Sequence, residues 1–293
     1  MRSTVRERDD AIAWNVASSV RRSRVTGVTM AGFRDRGLAP EGHRLIPHPA
    51  VTLALDVGAG PPVVEDVAGR QHRGSVVAGL GLGGAVWTGG QNITCIQLRL
   101  SPLVARRILG VGPADLDGCV ATLDDLWGRP ASRISEQLSE ISSWQERFAL
   151  IETVLARRRE AGASAEPEVT WAWHRIVTSR GRIRVERLAT ELGWSRKRLW
   201  SRFHVQIGLP PKQAARLVRF DHAAHRLAAG HDAAAVAADG GYADQSHLHR
   251  DVMAFAGVTP ATVAREPFLA VDGLRHGASM PSGRIHAELR SYQ

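Results

Sequence analysis

The chain has 293 residues, 44% of them hydrophobic and 23% charged, the composition of an ordinary globular protein with length enough for two domains. That excludes a disordered chain, and the lack of any run of about 18 uncharged apolar residues excludes an ordinary transmembrane helix. The formal charge of +9 leaves two readings, a surface for an anionic polymer or a diffuse solubilising excess.

Residues 1–30 show no sustained apolar period. The opening MRSTVRERDDAIAWNVASSV has Glu7, Asp9 and Asp10 inside its mildly apolar stretch and runs on into Arg21, Arg22 and Arg24, which makes a poor secretory signal. These residues are read as a flexible leader, with Met30 an alternative start. Strand-like runs follow at 51–57, 74–80 and 92–100, separated by the Gly and Pro clusters GAGPP and GLGGAVWTGG. In the last run Ile96, Leu98 and Leu100 alternate with Gln97 and Arg99, as a strand with one buried face requires. The expected unit over 31–160 is a small, β-rich, barrel-like antiparallel domain with accessory helices.

Ser101-Pro102 marks a helix entry, after which the pattern turns helical. Trp144, Phe148, Ile151 and Leu155 recur at spacings of four, three and four, one side of a helix running to about Arg159. That side either packs on the β domain or forms a dimer surface. Small residues, acids and Pro167 in EAGASAEPE place a linker at 161–170.

The charge is local. Residues 174–226 carry 13 bases and 3 acids, whereas 227–266 carry 2 bases and 5 acids. The same region holds a repeat. Val185, Leu188, Ala189, Gly193 and Trp194 recur 48 residues later as Ala233, Val236, Ala237, Gly241 and Tyr242. Leu199, Phe203, Gly208 and Pro211 recur 49 residues later as Leu248, Val252, Gly257 and Pro260, so one residue is added before the second long helix. Each copy reads as a short helix stopped by a Gly able to take positive φ, then a second helix capped by Ser195 or Asp244. That is a helix-turn-helix with one helix face free. Between the copies, PPKQAARLVRFDHAAHRLAAG reads as one long helix of about 30 Å, near the roughly 34 Å repeat of B-DNA.

These residues resemble the AraC/XylS family of transcriptional regulators. LGWSRKRLWSRFHVQIGLPPKQAARLVRF looks like its first helix-turn-helix and connecting helix, and GYADQSHLHRDVMAFAGVTP like its second-motif signature. The N-terminal part, with LDDLWGR, looks more loosely like the companion domain of such regulators in high-GC (actinobacterial-type) bacteria. The fold class is then α+β: the β-rich domain, then an all-α DNA-binding domain at 171–267 with two motifs joined by the long helix, then a flexible tail at 268–293. The resemblance implies double-stranded DNA as partner, with RNA polymerase, a small-molecule effector and a second copy of the chain as further partners. It implies a cytoplasmic, nucleoid-associated bacterial regulator, more often an activator, with no membrane association, cofactor, metal or catalytic residue.

On the first recognition helix Arg196, Lys197, Trp200, Ser201 and His204 face outward; the resemblance places base-edge contacts on Lys197, Trp200 and Ser201, and the neighbouring arginines can reach guanine edges or phosphates. Trp200 would meet a thymine methyl or a sugar, the alternative being packing under another element. On the second helix Gln245, Ser246, His249 and Arg250 take the corresponding places. Arg182, Arg184, Arg198, Arg202, Lys212, Arg216 and Arg219 are read as phosphate contacts, with surface ion pairing the alternative for each. The acidic surroundings of the second motif imply that the first carries most of the affinity.

Three other signals are set aside. Gly79 to Gly84 satisfies G-x-G-x-x-G, but AVWTGGQNITC follows and no acid appears before Asp115, against a dinucleotide site. His43, His48 and His72 lack metal-ligand spacing. Cys95, in an apolar strand, and Cys119, in an apolar helix-like stretch, have no adjacent Arg or His to activate a thiol. They read as buried small hydrophobes, the alternative being an alkyl acceptor or redox sensor.

Overall fold

The computed structural model describes residues 14–18, 23–35, 43–58, 60, 62–81, 86–90, 92–116, 118–162 and 164–266. Among the described residues, ten strands build the N-terminal region: β1 (Trp14–Ser18), β2 (Val28–Asp35), β3 (His43–Leu45), β4 (Val51–Asp56), β5 (Val63–Glu65), β6 (Gln71–Arg73), β7 (Val76–Ala78), β8 (Val86–Gly89), β9 (Thr94–Leu100) and β10 (Val120–Thr122). They form two antiparallel sheets, one in the order β1-β2-β9-β4-β7-β10 and one in the order β3-β8-β5-β6.

The alternation in β4 and β9 sets the layering. Leu53, Leu55, Ile96, Leu98 and Leu100 lie on one fully buried face. That face is covered by α1 (Pro102–Leu109) and α4 (Trp144–Ala161). On the opposite face Ala54, Val76, Ala78 and Val120 meet Leu45 and Val64 of the smaller sheet, while Thr52, Asp56, Cys95, Gln97 and Arg99 remain half-buried.

Two strands fall inside the stretch read as a flexible leader. β1 pairs with β2 from Trp14 opposite Asp35 to Ser18 opposite Ala31, and Met30 is buried opposite Leu98. The leader reading is corrected there, and its first 13 residues lie outside the described ones. β1 is an edge strand with Asn15 and Val16 exposed, and β2 is buried at Ala31, Gly32 and Phe33 in succession, so neither shows the alternation of a half-buried strand. Cys95 is in β9 as expected. Cys119 is not helical; it lies in the turn before β10.

Ser101 does precede α1, with Pro102 at its first position. A 3₁₀ turn (Pro113–Leu116), α2 (Leu123–Trp127) and α3 (Arg129–Glu140) follow. LDDLWGR is α2 with its cap: Thr122 accepts from the Asp125 N–H, and the indole N–H of Trp127 donates to the Leu109 carbonyl at 3.2 Å. Of the two alternatives for α4, packing is realised. Phe148, Ile151 and Leu155 are buried, and the Trp144 ring covers Gly32 so closely that a Cβ there would stand 2.4 Å from it.

The C-terminal region is helical: α5 (Pro167–Thr178), α6 (Val185–Glu191), α7 (Arg196–Ile207), α8 (Pro211–Ala228), α9 (Ala233–Gly240), α10 (Gln245–Ala256) and α11 (Pro260–Val263). Because α5 starts at Pro167, only 162–166 link the two regions. Trp173, Phe203, Phe220, Leu248 and Phe255 belong to one apolar core that continues into the N-terminal region. At the seam a Cβ on Gly208 would stand 2.7 Å from the Pro113 carbonyl oxygen. Arg44 of β3 donates to the Ala256 carbonyl at 3.1 Å and pairs with Glu266 at 3.5 Å. Among the described residues no helix is long and apolar enough to cross a membrane. The tail at 268–293 and the end of the Gly-rich run at 82–85 lie outside the described residues.

Candidate nucleic-acid interface

The repeat is a repeat of cap geometry. Gly193 and Gly241 take φ of +63° and +75°, and the following N–H, of Trp194 or Tyr242, reaches back to the Ala189 or Ala237 carbonyl at 2.9 or 3.1 Å. Only Gly takes such a φ without the clash of a Cβ with the carbonyl. Ser195 then accepts from the Arg198 N–H and Asp244 from the His247 N–H, starting α7 and α10. Both helices end on left-handed glycines, Gly208 and Gly257. The added residue is Ala243, in the turn before α10.

One side of each helix is consumed by the core: Leu199, Phe203 and Ile207 on α7, Leu248, Val252 and Phe255 on α10. The other side is open. Arg196, Lys197, Trp200 and Ser201 are exposed, as are Gln245, Ser246, His249 and Arg250. Trp200 is 51% exposed and stacks on His204 of its own helix, ring centroids 5.0 Å apart, so it does not pack under another element. Arg196 lies 3.8 Å from Glu186, and Arg250 Nε donates to the Ser246 carbonyl.

The arginines read as phosphate contacts divide. Arg182, Arg184 and Lys212 are exposed, Arg182 donating to the Ser179 carbonyl. Arg198 lies over the Trp194 ring at 4.5 Å, and Arg202 pairs with Glu166. Arg216 and Arg219 realise the ion-pair alternative by turning onto Asp251 of α10. Arg216 donates to Asp251 Oδ1 from Nη2 at 2.8 Å and Nε at 3.3 Å, and Arg219 Nη2 donates to Oδ2 at 3.2 Å. The Asp251 side chain is only 4% exposed. Beside it, burial together with the Asp251 charge pushes the Tyr242 hydroxyl up to about 12. Asp251 is not among the residues the sequence singles out; its one signal is an acid on the apolar stripe of α10.

These pairs also change the charge picture. Arg226 holds Asp239 at 2.7 Å, so two of the second motif's five acids are matched by bases counted with the first. The contrast between the motifs is smaller than the segment charges imply.

The side chains set aside earlier have local partners. His48 Nε2 lies 3.0 Å from Thr52 Oγ1, and His72 Nε2 is 3.2 Å from Asp66; the side chain of His43 lies outside the described residues. Among the described residues no three His, Cys, Asp or Glu side chains cluster as metal ligands do. Withdrawal from water, with Asp56 opposite, pushes the Cys95 thiol up to about 12.

Two capped helices, each with one exposed face, joined by one long helix define a tandem helix-turn-helix module. Residues 188–266 match the helix-turn-helix domain family, and this segment is an AraC-type helix-turn-helix domain. No curated protein sequence matches the chain. Among solved structures it is similar to ToxT from Vibrio cholerae O395, at 11% identity over 84% of this chain and 98% of that one, TM-score 0.48. Unsaturated fatty acid bound ToxT from Vibrio cholerae strain SCE256 gives 11%, 84%, 98% and 0.45. The AraC-like transcriptional activator CuxR gives 14%, 66%, 80% and 0.25.

Proposed function

We propose that the chain is a bacterial transcription activator that lays α7 and α10 into successive major grooves of one DNA face. The duplicated cap geometry carries this reading, because it presents two short helices by the same face on one rigid spacer. The 18 residues of α8 make that spacer about 27 Å long at 1.5 Å per residue, short of the roughly 34 Å helical repeat by less than the width of the helices it carries. Lys197, Trp200 and Ser201, with Arg196, would read bases at one half-site, and Gln245, Ser246, His249 and Arg250 at the other. Gln suits adenine and Arg guanine. Arg182, Arg184, Arg198, Arg202 and Lys212 would supply the phosphate contacts.

The N-terminal domain would sense a small molecule, pair two copies, or both, in a cytoplasmic, nucleoid-bound regulator that also meets RNA polymerase. The half-buried Gln97 on the face toward the smaller sheet offers a hydrogen-bonding group to an effector, and the seam at Pro113 and Arg44 joins that domain to the ends of both recognition helices.

The test is selection of duplexes from a randomised pool with the intact protein, followed by hydroxyl-radical footprinting. Two protected segments about 10 bp apart on one face are expected; a single protected segment, or no selected sequence, refutes the reading. A thermal-shift panel of metabolites addresses the N-terminal domain: stabilisation by at least one supports sensing, and none leaves a ligand-independent dimeric binder.

A further inference from the structure

We propose that Arg216, Arg219 and Asp251 set the roll of the second recognition helix on the long helix, the two arginines acting as positioning residues for α10 and not as phosphate anchors. This rests on the DNA-binding reading above. The apolar stripe of α10, Leu248, Val252 and Phe255, holds the helix down but is non-directional; packed leucines and valines tolerate rotation about the helix axis. Asp251 lies in the middle of that stripe. A carboxylate there must be matched by donors, since an unpaired buried charge is very costly.

Both of its oxygens are engaged, Oδ1 by Arg216 and Oδ2 by Arg219, from positions three apart on α8 and hence on one face. The guanidiniums are themselves fixed, Arg216 over the Phe255 ring at 5.5 Å and Arg219 over the Tyr242 ring at 4.7 Å. A carboxylate gripped at both oxygens admits one rotation of the helix.

That rotation matters because His249 and Arg250 are its direct neighbours in sequence and are exposed. With a helix radius of about 6 Å including side chains, a roll of about 10° moves a side-chain tip by about 1 Å, twice the 2.7–3.2 Å window of a hydrogen bond. The repeat supplies a comparison. Forty-nine residues earlier the same helix position is Arg202, which is 56% exposed and pairs with Glu166 in the link to α5. Each recognition helix is thus tied by an ionic pair at one equivalent position, and both oxygens of the carboxylate are engaged in each, but only the second tie is buried and shared between two arginines.

The experiment uses the duplex selected by the intact protein and the full-length variants Arg216→Gln, Asp251→Asn and their double. Positioning predicts that each single variant weakens binding about tenfold or more and loses protection at one half-site only. The double would be no more than about threefold worse than the poorer single, because coupled residues are not additive. The slope of log K against log salt stays unchanged. Phosphate anchoring predicts instead that Arg216→Gln flattens the slope by about 1 and adds fully to Asp251→Asn; that result overturns the proposal. Should Asp251→Asn fail to fold, Arg216→Lys decides. It keeps the cation, so binding unchanged from the native protein overturns positioning, and selective loss of one half-site supports it. If no duplex is selected, the DNA-binding reading falls and this proposal with it; a duplex bound with additive variants refutes the positioning alone.

Discussion

Gly208 closes α7 at φ +94°, and a Cβ built on it would stand 2.7 Å from the Pro113 carbonyl oxygen and 2.9 Å from its carbon. Alanine there meets two costs of different origin. The left-handed backbone costs an L-residue about 1–2 kcal/mol, and forcing a methyl against a backbone that cannot swing aside adds about 1–3 kcal/mol. Gly193 isolates the first cost, since it has φ +63° with nothing within 4 Å of its would-be Cβ. Urea unfolding of the full chain, followed by tryptophan fluorescence, should therefore show Gly208→Ala less stable than Gly193→Ala by about 1–3 kcal/mol. Proteolysis in the 162–166 link should also be faster for Gly208→Ala, as the seam opens. Equal losses of stability and equal cleavage rates would mean that the N-terminal domain does not bear on this helix end.

Lys197→Ala with Trp200→Ala should weaken binding to the selected duplex more than Gln245→Ala with Arg250→Ala; the reverse order refutes the dominance of the first motif. With Arg216 and Arg219 committed to Asp251, about five bases remain for phosphates (Arg182, Arg184, Arg198, Arg202 and Lys212), so log K should fall with log salt at a slope of about −4 to −5, and a flat response sinks the electrostatic argument. Burial alone would raise the Asp66 pKa, but the Arg70 and Ala68 N–H groups, His72 and the Arg70 side chain bring it from 3.8 down to about 2. Because the folded pKa is the lower one, this stabilisation is complete above the unfolded value and disappears as pH falls through the folded value. Asp66→Asn should accordingly flatten the stability curve between about pH 4 and pH 2, and an unaltered acid limb would count against the clamp. Cys95, pushed up to about 12, stays a thiol at pH 8, so in a Cys119→Ser background a thiol reagent should label it far more slowly than a free cysteine; labelling as fast as free cysteine would revive the reactive-cysteine alternative.

The motifs were legible because their signals are local: a glycine where the backbone turns left-handed, a cap oxygen one or two residues on, and apolar residues four apart. The central strands β4 and β9 were legible for the same reason, through alternation. What stayed hidden depends on neighbours distant in sequence. β2 loses its period at Ala31, Gly32 and Phe33 because both faces are covered there. Pro167 was taken for a breaker, yet at the first position of α5 its missing N–H would have been unpaired in any case, so the helix begins there. The segment charges treated Asp251 as part of a repelling acidic surface, when it is buried and held by two arginines from another helix. No count along a sequence distinguishes those two situations.

The two attachments of the N-terminal domain differ in mechanical kind. Backbone against backbone, Pro113 on Gly208 tolerates no displacement, whereas the long side chain of Arg44 can keep hold of the Ala256 carbonyl and Glu266 while they shift by an ångström or more. The first motif is therefore pinned and the second is on a leash. Because α8 and the shared apolar core join the two helices, a displacement of the N-terminal domain would be felt first at the C-terminal end of α7 and only later at that of α10.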